Sequence, residues 1–182
     1  MPVPHDERVV FSSMIEAYLK GLGPLVTPKT LEELKQAGLN LGKLPPAFPE
    51  KQMLQFLEIF ARNAWPHEQH PERMRLLGQH AIKGWQSTLL GSAASAVMKV
   101  MGPHRSLARL TKNFKTTNNF SEATYQLVGP NEALVTVNDV QGIITYWKGV
   151  FEQGISIVAS DPKVTIDKQL PGPDATFRLT WK

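Results

Sequence analysis

After Thr116-Thr117-Asn118-Asn119 the apolar residues stop recurring every three to four positions and begin to alternate, and no other feature of this chain restricts its fold so strongly. A period of 3.6 puts apolar side chains on one face of a helix; a period of two puts them on one face of a strand. The sequence therefore predicts a single α+β domain over residues 1–182. It is mainly helical over 1–116 and β-β-α-β-β over 117–182, with an antiparallel sheet carrying helices on one face.

Five or six helices are expected before Phe120. Val10, Phe11, Met14, Ile15, Tyr18, Leu19 and Leu22 form one stripe that stops at Gly21-Leu22-Gly23-Pro24. Thr30-Leu31-Glu32-Glu33 has capping-box spacing, and Gly38 closes the short helix behind it. Pro45-Pro46-Ala47-Phe48-Pro49 reads as a stiff connector. Met53, Phe56, Leu57 and Phe60 mark a third helix, ended by Trp65-Pro66. A fourth, opened by Pro71 or Glu72, carries a stripe from Met74 through Leu77, Gly78, Ala81, Ile82 and Trp85 to Leu89. Gly78, Gly84, Gly91 and the run Ser92-Ala93-Ala94-Ser95-Ala96 leave space that close-packed neighbours or a ligand would fill.

In the last third, Ala123, Tyr125 and Leu127 alternate before a turn at Gly129-Pro130-Asn131, and Val135 and Val137 alternate after it. Ile143, Trp147, Val150 and Phe151 return to helical spacing. Val164 with Ile166, and Ala175, Phe177, Leu179 and Trp181, complete the strands around a Pro171-Gly172-Pro173-Asp174 turn. A terminal strand of that pattern docks into the core.

Composition removes whole classes of chemistry. Without cysteine there are no disulfides, thiolate nucleophiles, iron–sulfur clusters or cysteine-based zinc sites, and a reducing cytoplasm is the simplest home. No run of about 18 apolar residues predicts a membrane span, and Met1-Pro2-Val3-Pro4-His5 has no signal-peptide character. Neither a nucleophile elbow nor a glycine-rich phosphate loop occurs. His67, His70 and His80 read as surface residues, His80 lying opposite the apolar stripe of its helix. No histidine sits on a clearly apolar helix face, so no haem is expected, nor any other cofactor or metal. Asp6-Glu7 and Glu32-Glu33 read as helix-start carboxylates.

The net charge of +4 is unevenly placed. From Arg73 through Ser121 there is no acidic residue and there are eight basic ones, which leaves the rest of the chain at −4. Within that stretch Gly102-Pro103 starts a helix on which Arg105, Arg109 and Lys112 share a face, followed by Lys115. An anion fits such a face, since arginine offers a two-pronged donor. A cation at a helix start opposes the dipole, so Arg105 is expected to be the structural member and Arg109 the most exposed.

Several segments together carry a resemblance: Gly84-Trp85-Gln86-Ser87-Thr88-Leu89-Leu90-Gly91, Gly102-Pro103-His104-Arg105-Ser106-Leu107, Asn113-Phe114-Lys115-Thr116, Asn118-Asn119-Phe120-Ser121-Glu122 and Phe177-Arg178-Leu179-Thr180-Trp181. They resemble a myxobacterial paralogous family of uncharacterised proteins, over nearly the whole chain. That family commonly has arginine where His104 and Lys115 stand here. In element order alone the chain is also similar to the superfamily of ligand-binding domains of nitric-oxide signalling and vesicle tethering. That likeness implies a dimerising domain, in some members with an acyl chain or small molecule in the core.

The resulting expectation is a non-enzymatic regulatory domain that binds a small apolar molecule or a protein partner, as a homodimer. Trp85, Leu89, Val97, Trp147 and Phe151 would line the pocket. The alternative is a module that binds nucleic acid or an anionic surface through Arg105, Arg109, Lys112 and Lys115.

Overall fold

The computed structural model describes residues 3–112, 114–140, 142–169 and 172–182; the side chains of Lys112, Lys168 and Gln169 lie outside that description. Among the described residues six α-helices precede the sheet: α1 (Ser13–Leu22), α2 (Pro28–Gln36), α3 (Glu50–Ala64), α4 (His70–Gln86), α5 (Leu89–Met101) and α6 (Pro103–Lys112). Then come β3 (Ala123–Gly129), β4 (Glu132–Val137), α7 (Ile144–Ile155), β5 (Lys163–Gln169) and β6 (Ala175–Thr180). These four strands form an antiparallel sheet in the order β3-β4-β6-β5, with helices on one face. No helix among the described residues is long and apolar enough to cross a membrane.

The last strand is central to the sheet, because β6 pairs with both β4 and β5. Its alternation buries Ala175, Phe177 and Leu179 completely, and Trp181 packs beside them. Opposite Phe177 in the ladder stands the buried Val135, while the Phe151 ring of α7 lies 5.1 Å from Phe177. The edge strands follow the pattern less far: Leu127 and Ile166 are exposed, each beside a register shift.

The N-terminal end departs from the periodic reading. Val9–Phe11 form a short strand, β1, paired antiparallel with β2 (Ala47–Pro49), so helix α1 begins only at Ser13. The connector of prolines is that second strand. A distant segment accounts for both: Asn119 Oδ1 accepts from the Val9 amide at 2.9 Å and the Thr117 carbonyl from Phe11 at 2.9 Å.

The capping box also moves. Thr27, not Thr30, caps α2, and Thr27 and Thr30 exchange side-chain to backbone bonds at 3.2 and 3.3 Å. Pro28 fits the earlier start, since its fixed φ and missing amide hydrogen suit the first helical position. Glu33 is thereby released from the cap and accepts from Arg62 and Asn63, both at 2.7 Å; the Arg62 hydrogen bond holds its carboxyl below the usual range.

Helix α4 is the axis of the fold. It meets α1 and α7 at backbone contact: a Cβ on Gly84 would fall 1.8 Å from the Ala17 carbonyl oxygen, and one on Gly78 2.1 Å from that of Tyr146. Two apolar cores result, one among α1, α3 and α4, the other between α6, α7 and the sheet. Trp147 packs against both.

Candidate functional site

Of the five residues expected to line a common pocket, Trp147 and Phe151 are brought together, with ring centroids 6.1 Å apart, and the other three lie elsewhere. Phe151 is buried against the sheet, and Trp147 stands between the two cores, stacked on Phe114 with ring centroids 5.0 Å apart. Trp85 is half-buried where α4 turns into α5, with its carbonyl 1.9 Å from where a Cβ of Gly91 would lie. Leu89 and Val97 face outward. Thr88 is the reason: it caps α5 by accepting from the Gly91 amide at 3.0 Å, so the α4 stripe ends before Leu89.

At the edge of the first core there is a partly open cavity of about 70 Å³, bordered by Val10, Met14, Tyr18, Met53, Tyr146 and Trp147. The Tyr18 and Tyr146 hydroxyls are 2.7 Å apart inside it. Burial raises both phenols, that of Tyr146 to about 12. A phenol whose folded value exceeds its unfolded value of about 10 leaves the folded state holding more protons, so its contribution is complete below pH 10 and is lost as pH rises towards 12. The Tyr146 phenol alone should therefore withdraw about 2–3 kcal/mol of stability in urea between pH 9 and pH 12, and Tyr18 should add to that loss. A Tyr18→Phe/Tyr146→Phe chain should lose clearly less; equal losses would contradict the assignment. A larger hollow of about 550 Å³, open to solvent, lies over Leu31, Lys35 and Leu39.

No histidine borders the inner cavity. His80, read from sequence as facing away from the core, instead sits half-buried between α4 and α1, its Nδ1 donating to the Gly21 carbonyl at 2.7 Å beside the Trp65 ring. That contact exists because Gly21 and Gly84 let the two helices close. His104 places Nε2 2.8 Å from the Pro130 carbonyl and Nδ1 2.6 Å from the Tyr125 hydroxyl. A carbonyl only accepts, so Nε2 carries the proton and Nδ1 accepts from Tyr125.

The basic helix is corrected at its first arginine. Arg105 is exposed, with no hydrogen bond or ion pair among the described residues; Arg109 is also exposed. The residues on either side of Arg105 anchor the helix start: His104 on the β3–β4 turn, and Ser106, which donates to the Met98 carbonyl at 3.0 Å. Lys115 pairs with Glu122 at 2.9 Å, and the Lys112 side chain lies outside the described residues. Arg105→Gln should then change stability by no more than about 0.5 kcal/mol, and His104→Ala should cost about 1–3 kcal/mol by stranding a hydroxyl and a carbonyl. Urea titrations of the two variants check this; the reverse ranking would contradict it.

Helix α5 is turned inside out. Gly91 and Ser95 face the protein, whereas Leu89 is 87% exposed, Leu90 80%, Val97 50% and Val100 90%. With the exposed Ala93 and Ala96 they occupy one continuous arc, spaced i, i+4, i+7, i+8 and i+11 from Leu89, with Leu90 at its edge. Sequence reading took Leu89 and Val97 as pocket lining and passed over Leu90 and Val100. The usable signal was the partition of α5 into a Gly/Ser side and a Leu/Val side.

A family described as "Protein of unknown function (DUF2378)" matches residues 8–182. Among curated proteins none matches. Solved H-NOX domains superimpose over nearly their full length. A point variant of Tt H-NOX gives a TM-score of 0.71 at 14% identity, covering 94% of this chain and 95% of that one. A structure concerned with heme redox potential and porphyrin distortion gives 0.70 at 13%, covering 94% and 99%. A mutant Fe(II) unliganded H-NOX protein from K. algicida gives 0.67 at 12%, covering 94% and 96%.

Proposed function

Since the chain belongs to the DUF2378 family and has the fold of H-NOX domains, we propose that it is a non-enzymatic regulatory domain that acts by docking a partner on its outer surface rather than by housing a molecule in its core. The observation that carries this reading is the solvent-facing Leu/Val arc of α5. A soluble monomer rarely leaves contiguous apolar surface uncovered unless something binds there.

Haem, which the relatives bring to mind, does not fit the residues present. Ligand pockets span about 300–1,000 Å³; the cavity beside Tyr18 and Tyr146 has about 70 Å³, and the hollow of about 550 Å³ over Leu31 and Leu39 lies open to solvent with no histidine on it. The stacked rings of Phe114 and Trp147 fill the region between the cores. No histidine borders the cavity, and its two tyrosines bond each other, with burial raising both phenols further above neutral pH. The same fullness weighs against an apolar small molecule held by Trp85, Leu89, Val97, Trp147 and Phe151.

Native mass spectrometry of the chain purified from haem-supplemented cells tests the proposal. The expected spectrum has no stoichiometric small molecule, and added hemin should give no Soret band with a saturable endpoint. A retained molecule of a few hundred daltons, lost only on unfolding, would overturn it.

A further inference from the structure

The exposed arc of α5 does not stand alone. Lys83 near the end of α4, Lys99 on α5, and Arg105 and Arg109 on α6 are all exposed, and none makes an ion pair among the described residues. Other cations from the acid-free stretch are engaged: Arg75 with Glu72 and Glu152, Lys115 with Glu122. In sequence these unpaired cations bracket the arc, Lys83 a few residues before Leu89 and Leu90, Lys99 and Arg105 on either side of Val100 and Met101. Ser106 fixes which side of α6 faces α5, through its bond to Met98, and Arg109 lies one turn further along that side.

We propose that this surface docks on an anionic membrane, with Leu89, Leu90, Val97 and Val100 entering the lipid interface and Lys83, Lys99, Arg105 and Arg109 meeting the headgroups. The proposal rests on the reading that the outer face of α5 is the docking surface. The charge distribution selects the occupant. A second copy of the chain would bring the same unpaired cations against these, whereas an anionic lipid surface accounts for both the apolar arc and its cationic flanks. The shape agrees, since side chains exposed by 80–90% form a projecting ridge, and a fluid interface accepts a ridge without a matching groove. An arc of 12 residues is about 18 Å long and lies in the interface plane rather than across the bilayer.

Co-sedimentation with vesicles tests this, comparing pure phosphatidylcholine with phosphatidylcholine mixed two to one with phosphatidylserine. The full chain should partition onto the anionic vesicles and hardly onto the neutral ones, and the partition should weaken steeply with salt. Lys99→Gln/Arg105→Gln/Arg109→Gln should bind on the order of a hundred-fold more weakly, about five-fold for each charge removed. Leu89→Gln/Leu90→Gln/Val100→Gln, whose changes lie on exposed positions and should leave the melting temperature unmoved, should bind at least about ten-fold more weakly. Equal partition onto both vesicle types would overturn the proposal. So would absence of partition: if sedimentation equilibrium then shows a dimer that the Leu/Val variant abolishes, a second copy is the occupant and the docking reading of α5 stands. If the Leu/Val variant changes neither property, both readings fall. Retention on DNA that the Leu/Val variant keeps and the Lys/Arg variant loses, without vesicle binding, would assign the cations to nucleic acid and also overturn it.

Discussion

Gly84→Ala is expected to destabilise the chain by about 3 kcal/mol or more, at or above the upper end of the usual range for overpacked cores. The added carbon would fall 1.8 Å from the Ala17 carbonyl oxygen and 2.6 Å from the Gly21 nitrogen. Neither atom is the movable end of a side chain; both belong to the backbone of α1. The contact is reciprocal, because a Cβ on Gly21 would meet the His80 carbonyl at 1.9 Å. Relief therefore requires α1 to lift from α4, which would loosen the packing of Ile15, Tyr18 and Leu22 in the first core. Gly149→Ala makes the same demand at the α4–α7 crossing, at 1.9 Å from the Arg75 carbonyl. Gly154→Ala is the control, since nothing lies within 4 Å of its Cβ position and it stands in the last turn of a helix. It should be neutral or stabilise by up to about 1 kcal/mol. Urea midpoints give all three values, and a Gly84→Ala chain as stable as the parent would refute the close-crossing account.

The glycines of α4 were legible in the sequence as small residues interrupting an otherwise bulky stripe, but which helices they admit was not, because periodicity describes one element at a time. The same limit explains the N-terminal error. Val10 and Phe11 match the helical period of α1, yet the bonds that Val9 and Phe11 make to Asn119 and Thr117, more than 100 residues away, hold the segment extended. The sheet was legible because burial of one face forces strict alternation, most completely in the central β6. Helix α5 defeated the reading in another way: a moment gives the direction of the apolar face, not whether that face points in or out. Leu89 was counted as the end of the α4 stripe because the Thr88 cap interrupts the chain without interrupting the spacing. For Arg105 the dipole argument was physically sound, but the compensation comes from the contacts of His104 and Ser106 rather than from the arginine itself. Phe114, whose ring stacks on Trp147, entered the sequence reading only within a segment that carries the family resemblance.

The strongest single polar dependence should belong to Arg8, a residue with no part in any of the sequence motifs. Its guanidinium is almost fully buried, donates from Nε to the Val3 carbonyl at 3.0 Å and from Nη2 to Asp139 at 2.9 Å, and lies 3.6 Å from Glu50 and 5.1 Å from the centre of the Phe120 ring. One side chain thus joins the N-terminal segment, the start of α3, and the loop after β4. That loop is held in an unusual form, with Asp139 at a φ of +50° and its amide donating to Asp174 at 3.1 Å. Arg8→Met removes the charge and keeps most of the volume, leaving two carboxylates facing a partly closed space. The expected cost is about 3–5 kcal/mol, the range for a buried ion pair that loses one partner. Lysine should not rescue it, because a single ammonium cannot reach Val3, Asp139 and Glu50 together or stack on Phe120 as a planar guanidinium does. Pairing the change with Asp139→Asn separates the causes: if the penalty comes from stranded charge, the double variant should be more stable than Arg8→Met alone. Additive losses would place the effect in packing, and an Arg8→Met chain within about 1 kcal/mol of the parent would remove Arg8 as the tie between the two halves.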